Sequence, residues 1–270
     1  MSAPVATTFE DILYERRNSA AVITINRPQR YNAFRAQTVE ELIKAFKMAW
    51  ADNGVQSVIL TGAGEKAFCS GGDVKQRAET GDYGPSESGL FEIGLLHKTI
   101  RDIPKPVIAA VNGIAIGGGH VLHVLCDLTI ASSTARFGQS GPKVGSFDAG
   151  FGSAYLARIV GEKRAREIWY LCRQYDAETA KSWGLVNEVV APEKLIDEAL
   201  AWADEIAEKS PTAIRFLKQS FNADTDHQAG LSNMAMSALD LYVVSEEGME
   251  GANAFAEKRM PDFASKVAHH

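Results

Sequence analysis

Two glycine-rich turns and one mixed polar segment hold the residues of this sequence that could do chemistry. The first turn is Phe68-Cys69-Ser70-Gly71-Gly72-Asp73. The second, Gly117-Gly118-Gly119-His120, follows one apolar run and opens another. Glycines in such turns let the backbone approach a ligand and aim N–H groups at it. A helix N-terminus adds a dipole that favours negative charge. Two N–H groups aimed at one point form an oxyanion hole, worth about 3 kcal/mol per donor to a reaction that develops negative charge there. As residues alone, tight strand–helix packing explains each turn equally well. The third segment runs from Phe137 to Gly150, FGQSGPKVGSFDAG. Its Asp148 suits a helix cap, the favoured reading from the residues alone, or a general base. Neither turn matches the P-loop pattern, and no GxGxxG occurs, which argues against nucleotide binding by those routes.

Other reactive side chains read as structural. His120 and His123 flank an apolar helix start and are expected to pack rather than ligate a metal, since no His/carboxylate cluster accompanies them. Cys69 has no evident histidine partner and reads as packing. Cys69, Cys126 and Cys172 are odd in number and widely spaced, which fits reduced thiols in a cytoplasmic protein. The N-terminus lacks a basic region followed by an apolar run. His269 and His270 read as a tag remnant. The stretch Pro106–Cys126 has no Asp, Glu, Lys or Arg, but its consecutive glycines point to strand–turn–helix rather than a membrane span. With 28 basic and 34 acidic residues, the net charge of −6 gives no support for nucleic-acid binding.

Those residues must be carried by regular elements. Strands are expected at Ala21–Ile25, Ser57–Leu60, Pro106–Val111, Leu128–Ala131 and Leu185–Val190. Thr38–Trp50 has apolar residues at helical spacing. The βα alternation predicts an α/β fold with a largely parallel sheet. Helices are then expected at Glu193–Glu208, from Pro211 to about Phe221, and over Leu231–Tyr242 and Gly248–Arg259. The organisation expected is a core of residues 1–192 and a helical section of residues 193–270. The segment Ala78–Leu90, rich in Gly, Ser and acidic residues, reads as a lid.

Several motifs, in order, resemble the crotonase (enoyl-CoA hydratase/isomerase) superfamily: INRP…NAF, FCSGGD, PKPVIAAVNGIAIGGG, CDLTIAS, FGQSGPKVG and EKRMPDF. The resemblance spans about Phe9 to Phe263. It implies a spiral of βα units and a helical C-terminal trimerisation region, giving a homotrimer or a dimer of trimers. It implies an acyl-CoA substrate, with no tightly bound cofactor, no nucleic acid and no membrane. The enolate oxygen would lie between the amides of Gly72 and Gly118. Ala33, Ser70, Gly71 and Asp73 fall at substrate-facing motif positions, Asp73 reading mainly as structural. Lys258 matches a CoA contact made from a neighbouring subunit. Arg30 and Arg35 are further candidates for the CoA phosphates.

Hydratases of this family use two glutamates, at positions occupied here by Val121 and Gly141. Neither residue can move a proton, which disfavours simple hydration. The stretch from Gly138 to Tyr175 resembles two sister groups instead. One is 1,4-dihydroxy-2-naphthoyl-CoA synthase, which closes a ring. The other is 2-ketocyclohexanecarboxyl-CoA hydrolase, which opens one. Ser146 and Asp148 match catalytic positions of both, with Ser146 expected to orient Asp148. Gln139, Gly141 and Trp169 resemble the synthase's bicarbonate pocket, and Arg77 and Tyr83 its loop after SGGD. Val243 stands where the synthase has a tyrosine. Tyr242 is one residue earlier, rotated by roughly 100° on a helix. The segment SFNADTDHQAGLSNMAMSALDLY resembles the hydrolases more. Ring opening is therefore the preferred expectation, with ring closure, hydration and an inactive trimeric scaffold as alternatives, and Tyr83 or Tyr242 as proton donor.

Overall fold

A computed structural model describes residues 8–266. The readings of the first seven residues and of His269 and His270 fall outside the described residues. The apolar runs form a six-stranded sheet: β1 (Ile12–Arg17), β2 (Ala20–Ile25), β3 (Ser57–Gly62), β5 (Val107–Val111), β7 (Leu128–Ser132) and β10 (Glu188–Val190), in that spatial order. Only β1 is antiparallel to its neighbour. Every residue of β3 and β5 is buried. That is why they read as near-continuous runs of small and apolar residues rather than alternations: both faces of a parallel sheet are covered. One face carries α1 (Ala36–Ala51) and α3 (Ile93–Asp102), with Leu42, Phe46, Leu96 and Ile100 fully buried.

A second sheet joins β4 (Ala67–Cys69), β6 (Ile114–Ile116), β8 (Arg136–Gly138) and β9 (Gln174–Asp176). The first three are parallel neighbours. The chain passes from β3 to β4, from β5 to β6 and from β7 to β8, so each turn adds one strand to each sheet. This is the expected spiral. The helices between are α2 (Val74–Thr80), α4 (Gly118–Leu125), α5 (Leu156–Val160), α6 (Glu162–Leu171) and α7 (Ala177–Ser182). The uncharged stretch from Pro106 thus becomes β5, β6 and α4. No helix among the described residues is long and apolar enough to cross a membrane.

The last third holds α8 (Leu195–Ala207), α9 (Pro211–Ala223), α10 (His227–Val243) and α11 (Glu246–Ala256). Leu195, Ala199 and Ala203 of α8 cover the outer sheet face over Val22, Ile59, Ile108 and Ile130. By contrast α9 and α10 expose Phe216, Phe221, Met234 and Leu241. The helix expected over Gly248–Arg259 starts earlier, because the Ser245 hydroxyl accepts from the Gly248 amide as an N-cap. It stops before Lys258, whose φ is +57°. The strand expected over Leu185–Val190 is also shorter. Leu185 and Val186 are buried, but the Leu185 amide donates to Ala180 O in the turn after α7.

Candidate active site

The three chemistry-bearing segments leave the carboxyl ends of β4, β6 and β8, adjacent parallel strands of the small sheet. Adjacency in the sheet therefore brings together residues far apart in sequence. Ser70-Gly71-Gly72 follows β4, Gly117-Gly118 follows β6, and Gln139-Ser140-Gly141 follows β8. All eight line one pocket, along with Arg77, Tyr83, Ser146, Asp148 and Trp169.

The two glycine turns are in contact. A Cβ at Gly71, where φ is +93°, would fall 2.9 Å from the Gly118 nitrogen. A Cβ at Gly119 would fall 1.9 Å from the Cys69 carbonyl oxygen, so only glycine lets α4 start against β4. Gly71 O accepts from the Phe34 amide and Phe34 O from the Asp73 amide, a bridge that leaves the Gly72 N–H without a chain partner. The Gly118 N–H is the first of α4 and has no partner within the helix. Both are thus available at the pocket wall. Tyr83 lies over Gly72: a Cβ there would meet Tyr83 Oη at 2.9 Å. Its ring stacks on Phe91 at 4.4 Å, and its carbonyl accepts from the Ala36 amide at 2.9 Å. The expected lid is anchored at that point. Its first residues are helical, since Asp73 caps α2 by accepting from the Gln76 amide.

Asp148 is the only carboxylate among the described pocket-lining residues. Enclosure by protein pushes it up to about 6, opposed by the Gly152 N–H that donates to Oδ1 at 3.0 Å. The carboxylate thus accepts an amide of the π turn Phe151–Tyr155, whose N-cap is Gly150, and lines the pocket. The expected orientation by Ser146 is not found. Ser146 lines the pocket and donates its amide to Gly141 O at 2.9 Å, while Gly152 holds Asp148. Gly152 is itself braced, its carbonyl accepting from Trp169 Nε1 at 2.7 Å.

Arg77 is on α2 rather than in a loop. It is buried, and Nη2 donates to Val144 O at 2.5 Å, while Nε and Nη1 have no chain partner. Gln139, also buried, faces His120 Nδ1 through Nε2 at 3.4 Å, with Oε1 unpartnered. A small anion such as bicarbonate needs donors, and the expected set of Gln139, Gly141 and Trp169 turns no free side-chain donor toward one. The Trp169 N–H is committed to Gly152, and Gln139 turns an acceptor free. Val121 is fully buried in the core, and Gly141 offers no side chain.

Tyr242, Asp73, Ala33, Lys258, Arg30 and Arg35 do not line the pocket. Tyr242 packs on Phe147 at 5.6 Å and donates its hydroxyl to Glu247 at 3.3 Å, leaving Tyr83 as the pocket's tyrosine. Asp73 is buried in an ion pair with Arg27 at 3.1 Å, and Ala33 O accepts from the same arginine. These two residues brace the first turn. Lys258 is exposed beyond α11. Arg35 is taken up by Asp11 at 2.7 Å, which removes it from the phosphate-binding candidates. Burial pushes the Cys69 thiol up to about 12, in keeping with packing. His120 and His123 are buried as expected, and no group of three potential metal ligands occurs among the described residues. One pocket residue has no sequence signal: His97 of α3, whose apolar surroundings in the sequence disguise its position.

Comparison with known proteins matches this architecture. The family model described as enoyl-CoA hydratase/isomerase matches residues 15–266. An enoyl-CoA hydratase from Mycobacterium avium subsp. paratuberculosis K-10 is 27% identical, with a TM-score of 0.84 over 95% of this chain and 99% of that one. A carnitinyl-CoA hydratase from Mycobacterium avium is 32% identical, with a TM-score of 0.85 over 96% and 100%. An enoyl-CoA hydratase from Bacillus anthracis is 33% identical, with a TM-score of 0.73 over 94% and 99%. With the paired glycine turns, the spiral of strands and a family match over nearly the whole length, this chain belongs to the enoyl-CoA hydratase/isomerase family, whose members act on CoA thioesters without a tightly bound cofactor.

Proposed function

We propose that the chain opens the ring of a cyclic 2-oxoacyl-CoA by hydrolysis. The observation that supports it is the lone pocket carboxylate, Asp148, with valine and glycine at the two positions the resemblance gives to hydratase glutamates. One base and a pair of amides suit a reaction that needs one activated water and one stabilised enolate. The thioester oxygen sits between the Gly72 and Gly118 amides. Asp148 takes a proton from water, and the hydroxide adds to the ring ketone β to the thioester. The C–C bond to the α-carbon breaks, and its electron pair becomes the enolate held by the two amides. Tyr83 gives a proton to the α-carbon and is reprotonated from Asp148. The new carboxyl loses its proton to solvent water or to the regenerated Asp148 carboxylate, which passes it to solvent, and as a carboxylate pairs with the free Nε and Nη1 of Arg77. The product is a dicarboxylic acid carrying CoA at one end.

Ring closure of o-succinylbenzoyl-CoA is the second reading, favoured by Arg77 and Tyr83 sharing the pocket. Incubation of the protein with 2-oxocyclohexanecarboxyl-CoA and with o-succinylbenzoyl-CoA, with and without bicarbonate, separates the two by mass spectrometry. Gain of one water by the first is expected. Loss of water by the second supports closure. Turnover of crotonyl-CoA alone overturns both, and no turnover of any acyl-CoA supports the scaffold reading.

We propose further that residues 193–270 assemble the chain into a homotrimer or a dimer of trimers. The exposed Phe216, Phe221, Met234 and Leu241 support this, being large apolar side chains that an isolated chain leaves in water.

A further inference from the structure

His97 is buried to 1% exposure and lines the active pocket, yet neither ring nitrogen has a partner in the chain. It stands on α3, its ring edge-on to Phe151 at 6.5 Å, and Phe151 precedes the Gly152 that holds Asp148. An unpaired polar group in a core costs about 1–3 kcal/mol. A leucine there would fill space without that cost. Burial pushes the imidazole down to about 4, so at neutral pH it offers one N–H and one lone pair and no charge. Arg77 is the pocket's complementary donor: a guanidinium with two free N–H positions, suited to an anion. A neutral N–H suits a neutral carbonyl, because it polarises the oxygen without giving up its proton.

We propose that His97 donates a hydrogen bond to the keto oxygen of the acyl group and so selects β-keto acyl-CoA esters over those lacking that oxygen. The proposal rests on the ring-opening reading. His97 fixes the ketone as hydroxide adds, and Arg77 receives the carboxylate that results.

The test is calorimetric binding in an Asp148→Asn background, where the ester is not consumed. The ligands are 2-oxocyclohexanecarboxyl-CoA and cyclohexanecarboxyl-CoA, which lacks the ketone. The background protein is expected to prefer the keto ester roughly tenfold, the size of one neutral hydrogen bond. His97→Leu should abolish that preference while holding the cyclohexanecarboxyl-CoA affinity within about twofold, since only the keto contact is lost. His97→Gln, which keeps a donor, should restore part of it. Preference retained in His97→Leu overturns the role of His97 alone. If that variant loses both ligands, His97→Gln decides: a preference below that of His97 but above unity supports the proposal, and a full preference or none overturns it. No preference in the background protein overturns the keto-acyl reading and the His97 role together.

Discussion

Asp148 is the base of the proposed reaction, and its environment makes two predictions. Its carboxyl is raised to about 6 by burial. A general base works ionised, so kcat/KM is expected to climb as pH rises from 5 to 7, with a midpoint near 6. A flat profile over that range would remove Asp148 as the base. The same shift bears on stability. The folded protein holds the Asp148 proton more tightly than the unfolded chain does, so this group's contribution to stability falls as pH rises from about 4 to about 6. Asp148→Asn keeps an acceptor for the Gly152 amide and carries no charge. It should abolish turnover, leave CoA-ester binding intact, and stabilise the protein at pH 7 by roughly 2 kcal/mol. That gain should vanish below pH 4. Calorimetric melting at the two pH values measures it.

At the scale of elements, α6 reaches the site through Trp169, which lines the pocket and adds one hydrogen bond there. Trp169 Nε1 holds Gly152 O, and Gly152 N holds Asp148. Trp169→Phe keeps the ring in its place and removes that bond. Turnover should fall roughly tenfold with KM little changed, and the midpoint of the pH profile should move, because the Gly152 amide that donates to the carboxylate is no longer braced. A profile unmoved at reduced kcat would confine Trp169 to packing. The inner strands of the large sheet were legible in the sequence because burial on both faces writes itself as near-continuous apolar runs. The strands of the small sheet were not: Ala67–Cys69, Ile114–Ile116 and Arg136–Gly138 are three residues each, too short for any period to show. β1 was hidden by its exposed Glu15-Arg16-Arg17, and α6 by the charge in EKRAREIWYL. Both glycine turns and Asp148 were legible as residue types. The partner of Asp148 was not, because Gly152 acts through its backbone, and a backbone donor carries no sequence label. His97 was missed for the complementary reason. It is one polar residue on an apolar helix face, and only the pocket beside it sets it apart.

At the scale of the whole molecule, two features bear on assembly. Phe216 and Phe221 stand 63% and 78% exposed on α9. If α9 and α10 form the subunit contact, light scattering should give three or six times the 29.2 kDa chain mass. Phe216→Asp with Phe221→Asp should lower it. A monomeric parent protein would refute the assembly. Lys258, exposed and outside its own chain's pocket, should act across that contact. Lys258→Ala is expected to raise KM for a CoA ester several-fold with kcat unchanged, the signature of lost phosphate binding alone.

The three-residue strands that carry the catalytic turns have a further consequence, for heat. β4, β6 and β8, three residues each, have few ladder bonds of their own, whereas β2, β3, β5 and β7 run to five or six residues. Local opening follows such differences, and the thinly bonded layer opens first. On warming, catalytic inactivation should therefore precede the loss of helical signal. Amide exchange at Cys69 and Ile116 should outrun that at Ile59 and Ile108.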